Sequence, residues 1–396
     1  MKTVFASSFT VAALCAASVP AFAGAPLYQF DDGTSISALC SARVEFNDNI
    51  YLRSSDKDSD VILHLIPGLE LSKGSKDAQS SIKFTVTEDL SMYMDDDENN
   101  YQATHVNAAY SYAGARLSGT IAAGFDMNQN TTSRDIKAGD MIEYYTYYAK
   151  AIGSYKIGEK VSVTSGFSWN GTAYQDHRYD YNDRETYSVP VSVYHSVLTE
   201  KLRAGLSYEY RYTDLAANGR ERSLGTNPGY QQVHFFGVSA VGEVTEKLTV
   251  DGRVGYTTSD YNRRTTGSND DRENTLGLNA SFNWAATEKT SVRLALSRDF
   301  EISGNGDDIT STGVALTANH RMDTHWSFNA GLDYRNDDYN NRDRKDDVYT
   351  ARVGANYNVN EYLNIAASYS FQWDDSNDSD SEYTKNLVSL SLNFRY

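Results

Sequence analysis

The last stretch of the chain, Leu387-Val388-Ser389-Leu390-Ser391-Leu392-Asn393-Phe394-Arg395-Tyr396, alternates apolar and polar side chains and ends on an aromatic residue. Side chains alternate sides along a β-strand, so its apolar residues share one face and its polar residues the other. An outer-membrane barrel needs this pattern, because one face of each strand meets lipid and the other meets water. The alternative is an edge strand of a soluble β-sandwich.

The same strand resembles the C-terminal sorting signal of Gram-negative outer-membrane proteins, which the barrel-assembly machinery reads. Ser391 stands where that signal often has glycine. We therefore interpret the apolar face as an assembly signal made of Val388, Leu390, Leu392, Phe394 and Tyr396. The resemblance places the protein in the bacterial cell outer membrane.

The other end of the chain has the features of a secretory signal peptide over residues 1–23. Lys2 precedes an apolar run, and Ala21-Phe22-Ala23 forms a small-residue cleavage site. The apolar run is too short for a membrane-spanning anchor. Residues 24–41 have little pattern, and we expect a periplasmic N-terminal leader there. After cleavage Cys40 is the one remaining cysteine, so no intramolecular disulfide is expected.

The composition fits a barrel although it looks hydrophilic. The chain has 30 tyrosines, a formal net charge of −17 and a mean hydropathy of −0.56. No apolar run is long enough for a transmembrane helix. A barrel strand exposes only alternate residues to lipid, so its average hydropathy stays low. The excess of acidic residues argues against a nucleic-acid partner.

Short and long connections alternate along the chain. Short turns recur at 158–160, 199–201, 245–247, 287–289, 322–325 and 359–361, and longer polar segments lie at 128–140, 175–184, 213–229, 260–272, 304–308, 336–347 and 374–382. Periplasmic turns of barrels are short and external loops are long. The pattern predicts one all-β domain over residues 42–396, a transmembrane antiparallel up-and-down β-barrel of about 18 strands, with 16 as the alternative. A repeated soluble β-sandwich array is the rival interpretation.

A family resemblance appears near the start of the mature chain. Asp48-Asn49-Ile50-Tyr51 is followed by Ser59-Asp60-Val61-Ile62 and then by Pro67-Gly68-Leu69. This succession resembles the opening of the family called putative beta-barrel porin 2. The resemblance implies an outer-membrane barrel, and some members are linked to exopolysaccharide export. It supplies no functional residues.

Charged residues on the predicted inner face are the candidate pore lining. They are Arg116, Arg203, Glu209, Arg211, Asp251, Arg253, Arg293, Asp333, Arg335, Arg352 and Arg395. One hypothesis is a lumen that favours anionic solutes, since charged rings bias the traffic through pores. The other, which we favour, is that the arginines pair with wall carboxylates and stabilise the wall.

The sequence offers no catalytic or cofactor motif. The seven histidines are scattered, and no glycine-rich phosphate loop or cysteine–histidine metal spacing is present. We therefore expect a non-enzyme without cofactor or metal, in contact with outer-membrane lipid and lipopolysaccharide. Three functions stay open: a porin-like channel for hydrophilic solutes, the barrel of an exopolysaccharide export system with its export partners, and a non-conducting structural or adhesive barrel. The oligomeric state is open as well.

Overall fold

The computed structural model describes residues 26–74, 78–130, 141–197, 201–215, 229–262, 271–303 and 307–396. These ranges are almost entirely β-strand. The strands are β1 (Tyr28–Gln29), β2 (Thr34–Asn47), β3 (Asp60–Lys73), β4 (Ser80–Tyr93), β5 (Tyr101–Ala113), β6 (Leu117–Asn130), β7 (Ile142–Ile157), β8 (Val161–Tyr174), β9 (Arg184–Ser196), β10 (Leu202–Leu215), β11 (Tyr230–Thr245), β12 (Leu248–Asn262), β13 (Asp271–Trp284), β14 (Thr290–Ile302), β15 (Asp308–Arg321), β16 (Trp326–Tyr339), β17 (Lys345–Asn358), β18 (Leu363–Ser376) and β19 (Tyr383–Arg395). Short 3₁₀ turns lie at Asp97–Asn99 and His177–Asn182. None of the helical turns in the described ranges is long or apolar enough to cross a membrane.

Strands β2 to β19 form a closed antiparallel barrel in which each strand pairs with its neighbours in sequence. The barrel closes where β19 pairs with β2, from Leu387 opposite Asn47 to Arg395 opposite Leu39. The two-residue strand β1 pairs with the start of β2. The prediction of 18 strands is confirmed, and so is the closure of the terminal strand on the first; the alternative of 16 strands is wrong.

The barrel begins earlier than the sequence suggested. The first strand was expected at Ala42, but the β2–β3 ladder starts at Thr34 opposite Lys73. Residues 34–41 are therefore barrel and not leader. Serines at 35, 37 and 41 mask the strand pattern because they lie on the inner face, where small polar side chains suit a wet wall. The predicted signal peptide lies outside the described residues.

The two ends of the barrel differ as predicted. One end has short connections such as 114–116, 158–160 and 322–325, and the other has longer ones such as 48–59 and 94–100. The first is the periplasmic end and the second the external end. Most of the predicted loops at 128–140, 213–229, 260–272 and 304–308 lies outside the described residues.

Two predicted loops are wrong in extent. Strands β16 and β17 continue to Tyr339 and from Lys345, so that the loop expected at 336–347 is only a turn at 340–344. Strand β18 likewise continues to Ser376. The acidic residues here indicated a solvated loop, but Asp337 and Asp346 are held by Arg335 and Arg344 in the extended ladder.

Aromatic residues mark both edges of the outward face. At the periplasmic edge Trp326 packs on Tyr357, with ring centroids 4.8 Å apart. At the external edge the rings of Tyr334, Tyr349 and Trp373 follow one another at 5.1 and 5.2 Å. Eight strand residues separate Trp326 from Tyr334, which at a rise of about 3.4 Å and a tilt of about 40° gives a band roughly 21 Å tall. This matches the apolar band of an outer-membrane barrel.

Candidate functional site: the inner wall and the external mouth

The pleat of each strand separates a lipid face from an inner face. On β10, Leu206 points outward and is 71% exposed, whereas Ser207 and Glu209 point inward and are buried. On β19 the predicted assembly-signal residues Val388, Leu390, Leu392, Phe394 and Tyr396 all point outward and are 43–52% exposed. Their role in assembly stays a prediction. The inner wall is the candidate site, because its polar side chains are the ones that a solute would meet.

Ten of the eleven predicted pore-lining residues occupy inner-face positions. They are Arg203, Glu209 and Arg211 on β10, Asp251 and Arg253 on β12, Arg293 on β14, Asp333 and Arg335 on β16, Arg352 on β17 and Arg395 on β19. Arg116 is the exception. It lies exposed in the turn between β5 and β6, and its carbonyl accepts from the backbone amide of Lys156. The alternation argument fails there because the strand has already ended.

Most of these arginines are paired with carboxylates. Arg253 pairs with Glu209 and Arg352 with Asp333. The other pairs are Arg395 Nη2 with Glu70 Oε1 at 2.6 Å, Arg211 Nη1 with Asp299 Oδ2 at 3.0 Å, and Arg335 Nε with Asp337 Oδ2 at 2.8 Å. The geometry thus agrees with the hypothesis that charge pairs build the wall. Glu70, Asp299 and Asp337 were missed, although their inner-face positions could have been found from strand parity.

Several inner-face cations have no carboxylate within ion-pair distance among the described residues, and Arg203, Arg293 and Lys150 are three of them. Arg203 donates from Nη1 to Ser162 Oγ at 3.0 Å and lies over the ring of Tyr194. Arg293 faces the lumen from β14, and its positive charge interacts with the carboxylate of Asp251. Lys150 is exposed on the inner face of β7, beside the ring of Tyr148. These side chains leave a net positive contribution that the pairs do not cancel.

A histidine, an aspartate and a serine meet on the inner wall of β3 and β4. His64 Nδ1 lies 2.9 Å from Asp89 Oδ1 and 3.0 Å from Ser91 Oγ, and Arg43 Nη2 lies 3.1 Å from the same nitrogen. A catalytic triad needs the serine on one ring nitrogen and the carboxylate on the other. Here both contact Nδ1, and the buried Nε2 has no partner. The cluster is a charge network of the wall, not an arrangement for nucleophilic catalysis.

Hydroxyl groups form a separate inner patch on β9, β10 and β11. Ser192 Oγ lies 2.7 Å from Ser207 Oγ, which lies 2.6 Å from Ser239 Oγ. All three serines are buried. The patch lies beside the charged pair of Glu209 on β10 and Arg253, which is directly opposite Ser239.

The external mouth is narrowed by the β14–β15 hairpin, which leans inward. Arg211 of β10 reaches both Asp299 and the carbonyl of Phe300 on β14, at 3.0 and 2.5 Å. Gln231 Nε2 of β11 donates to Asp308 Oδ1 of β15 at 2.5 Å. These partners are 77 to 89 positions apart in sequence. The top of the hairpin therefore packs on the inner face of β10 and β11.

A buried cluster of charges lies beside this hairpin at the external end. Asp337, Asp346 and Asp374 are 0–2% exposed. Arg344 Nη2 donates to Asp346 Oδ2 at 2.6 Å, and Arg335 holds Asp337. Burial raises the pKa of the Asp374 carboxyl to about 7, and the negative charge of Asp346 acts in the same direction. Burial likewise raises the pKa of Asp308 to about 6.

No group of three or more histidine, cysteine, aspartate or glutamate side chains in the described ranges is arranged to hold a metal ion. In the cluster at the external mouth, Asp346 is engaged by Arg344 and Ser376, and Asp337 by Arg335 and Ser311. The wall as a whole provides charge pairs, hydroxyls and a narrowed mouth, which suit the passage or binding of polar solutes.

Solved barrels resemble the chain at very low identity. Pseudomonas aeruginosa OccK2 (OpdF), solved in complex with glucuronate, is 10% identical with a TM-score of 0.48, and 93% of this chain and 100% of that chain are covered. The ferric-catecholate import receptor Fiu of E. coli K12 is 9% identical with a TM-score of 0.48, covering 93% and 82%. A bacterial polysaccharide outer membrane secretin is 11% identical with a TM-score of 0.39, covering 91% and 98%. These similarities are too weak to indicate a substrate.

A search of curated proteins finds no match. The family comparison is decisive instead. The model of the family described as "Putative beta-barrel porin 2" matches residues 36–396, which is the whole barrel apart from the first two residues of β2. This extends the resemblance seen around Asp48 and Pro67 to the complete wall. The chain belongs to the Putative beta-barrel porin 2 family of outer-membrane barrels.

Proposed function

We propose that the protein is a passive channel of the bacterial outer membrane for small hydrophilic solutes. The observation that supports this most is the inner face, which is polar along a closed ring of 18 strands while the outer face is apolar. Barrels of 16–18 strands are wide enough for an aqueous lumen. The exposed Lys150 on the inner wall is consistent with water in that lumen.

The external mouth limits the size of the solute. The tip of β14–β15 is held against β10 and β11 by Arg211 and Gln231, so the opening is narrower than the ring of strands. A narrowed mouth suits small molecules better than a polymer. The export of an exopolysaccharide chain is therefore the less supported role.

The charge of the lumen gives the channel a weak preference for anions. The paired arginines contribute little, because each is offset by a carboxylate at close range. Arg203, Arg293 and Lys150 have no such partner among the described residues and attract anions. The preference is modest because most of the predicted arginines are paired and because Arg293 acts on the opposite charge of Asp251.

Conductance in planar lipid bilayers tests this proposal. The folded protein should give stepwise ion currents, and the absence of current in every salt would leave the non-conducting structural barrel as the better account. In a KCl gradient the reversal potential should have the sign for chloride preference. The double substitution Arg203→Gln and Arg293→Gln should shift it toward zero, whereas Arg116→Gln, in the turn, should not. Clear cation selectivity of the unaltered protein would overturn the anion preference.

The same proposal includes the surroundings of the barrel. The outward belt is in contact with outer-membrane lipid and lipopolysaccharide, and the terminal strand is read by the barrel-assembly machinery. Both follow from the lipid-facing alternation of β19, whose Leu390 and Phe394 are half exposed.

A further inference from the structure

The barrel wall has a split between β13 and β14. Their ladder runs from Trp284 opposite Val292 to Leu278 opposite Arg298 and ends there. Above this point β13 goes on pairing with β12 as far as Asp271, and β14 with β15 as far as Ile302. The other neighbouring strands of the barrel pair over most of their length. The two strands thus separate toward the external end.

The split begins inside the apolar band and not above it. Leu278 is six residues from Trp284, which puts the end of the ladder about 16 Å above the periplasmic aromatic edge at a rise of about 3.4 Å and a tilt of about 40°. The apolar band of such barrels is about 25 Å tall. Leu276, outward and 61% exposed, lies above the last ladder pair and still faces lipid. The upper part of the split therefore faces the outer leaflet.

On its inner side the split is closed by the top of β14, whose Phe300 is 1% exposed. The top of β14 is displaced inward, where Asp299 meets Arg211 of β10. Thr257 on the inner face of β12 is fully buried behind the split, and its hydroxyl has no hydrogen-bond partner. Unpaired backbone within lipid is costly, so such a gap is stable only when side chains or a bound molecule fill it.

Arg298 occupies the base of the split. Its Nε donates to Thr275 Oγ1 of β13 at 2.9 Å and its Nη1 to Thr312 Oγ1 of β15 at 2.5 Å. No carboxylate in the described ranges lies within 4.0 Å of its guanidinium. An unneutralised, half-buried cation at the depth of the outer leaflet is unusual, because a charge there is normally paired.

We propose that this split is a lateral portal, open toward lipid and closed toward the lumen, that binds a single-chain anionic amphiphile from the outer leaflet. The anionic head group contacts the free donors of Arg298, which match an oxyanion in geometry and charge. The acyl chain lies along Leu276, in the upper part of the split. The head group of the ligand then contacts Arg298, and its acyl chain contacts the lipid-facing edge of the split.

Photo-labelling with a fatty acid that carries a diazirine on its chain tests the portal in the unaltered barrel, folded into phosphatidylcholine nanodiscs. Mass spectrometry should find the adducts concentrated on residues 271–278 and 298–302. Dodecanoate should compete, and dodecyltrimethylammonium, with the same chain and the opposite charge, should not. Labelling spread evenly around the apolar belt, or equal competition by the two detergents, would overturn the proposal.

Substitution of Arg298 tests how much its charge contributes to binding of the head group. Arg298→Gln should weaken labelling about tenfold, which corresponds to the loss of one charge-assisted contact, and Arg298→Lys should weaken it less. Arg293→Gln, on the same strand but facing the lumen, is the matched control and should label as the unaltered protein does. Folding of each variant is checked by its shifted migration in unheated gels. Unchanged labelling of a folded Arg298→Gln barrel would show that the head group binds elsewhere. This outcome is independent of bilayer conductance, so the channel and the portal are judged separately.

Discussion

The periplasmic and external ends of this barrel are stabilised in different ways. At the periplasmic end every pair of neighbouring strands is joined by its backbone ladder, down to the closure of β19 on β2. At the external end β13 and β14 part, and the contact of Arg211 with Asp299 on a distant strand holds the β14–β15 hairpin. Within lipid the backbone has no other partner than the next strand. From the upper part of the apolar band outward, side chains replace the ladder between β13 and β14, and the wall bends inward.

The largest effect is expected at the closure of the periplasmic end. Deleting Phe394-Arg395-Tyr396 removes the last pairing with Leu39 and the backbone bonds between Tyr396 and Ala38. The edge of β2 would then lie unpaired in lipid, and the barrel should fail to insert. Cell fractionation and migration in unheated gels measure this. Normal assembly of the truncated chain would mean that the terminal strand does not close the wall.

The next effect concerns a single ion pair at the external end. Asp337→Ala leaves Arg335 buried without its carboxylate and should lower the free energy of unfolding by about 3–5 kcal/mol. Asp338→Ala is the matched control, because Asp338 and its partner Lys345 are solvent-exposed; its cost should stay below about 1 kcal/mol. Urea unfolding in lipid vesicles compares the two. Equal costs would show that burial of the cluster does not matter.

Titration of Asp374 at the external end should make the free energy of unfolding depend on pH. Its pKa in the fold is raised from 3.8 to about 7, facing Asp346 and Asp337 on one side and Arg335 and Arg344 on the other. The stabilisation is complete below pH 4, where the carboxyl is protonated in both the folded and the unfolded chain. It is lost as the pH rises to about 7, because only the unfolded chain ionises in that window. Asp374→Asn should remove this dependence of the free energy of unfolding on pH. If the variant keeps the dependence, another titrating group causes it.

A smaller, local effect is expected where the hairpin leans on the wall. Arg211→Gln removes the contacts with Asp299 and the carbonyl of Phe300. The free energy for opening the β14–β15 tip should fall by about 2 kcal/mol, the usual worth of hydrogen bonds to a charged group. Hydrogen exchange of the amides from Asp299 to Ile302 reports it, while amides of the β16–β17 ladder should be unaffected. Unchanged exchange at Asp299 would show that other contacts hold the tip.

The class of the protein follows from the pattern of its amino acids. Strict alternation, as in Val388 to Tyr396, separates a lipid face from a water face, and the recurrent short turns set the strand count, because both depend only on neighbouring residues. The alternation of side chains along each strand also placed the inner-face arginines. It failed at Arg116, where the strand had ended, and at the start of β2 near Thr34, where serines hide the pattern.

Which charges meet, and where β13 and β14 part, depends on contacts between strands that are distant in sequence. Arg211 finds Asp299 across 88 positions, and Arg298 lies between Thr275 and Thr312, because β14 leaves its ladder with β13. A period of two assigns a side chain to a face but not to a partner on a distant strand. The inward lean of the hairpins and the split between β13 and β14 depend on contacts across the lumen, which alternation along one strand does not encode.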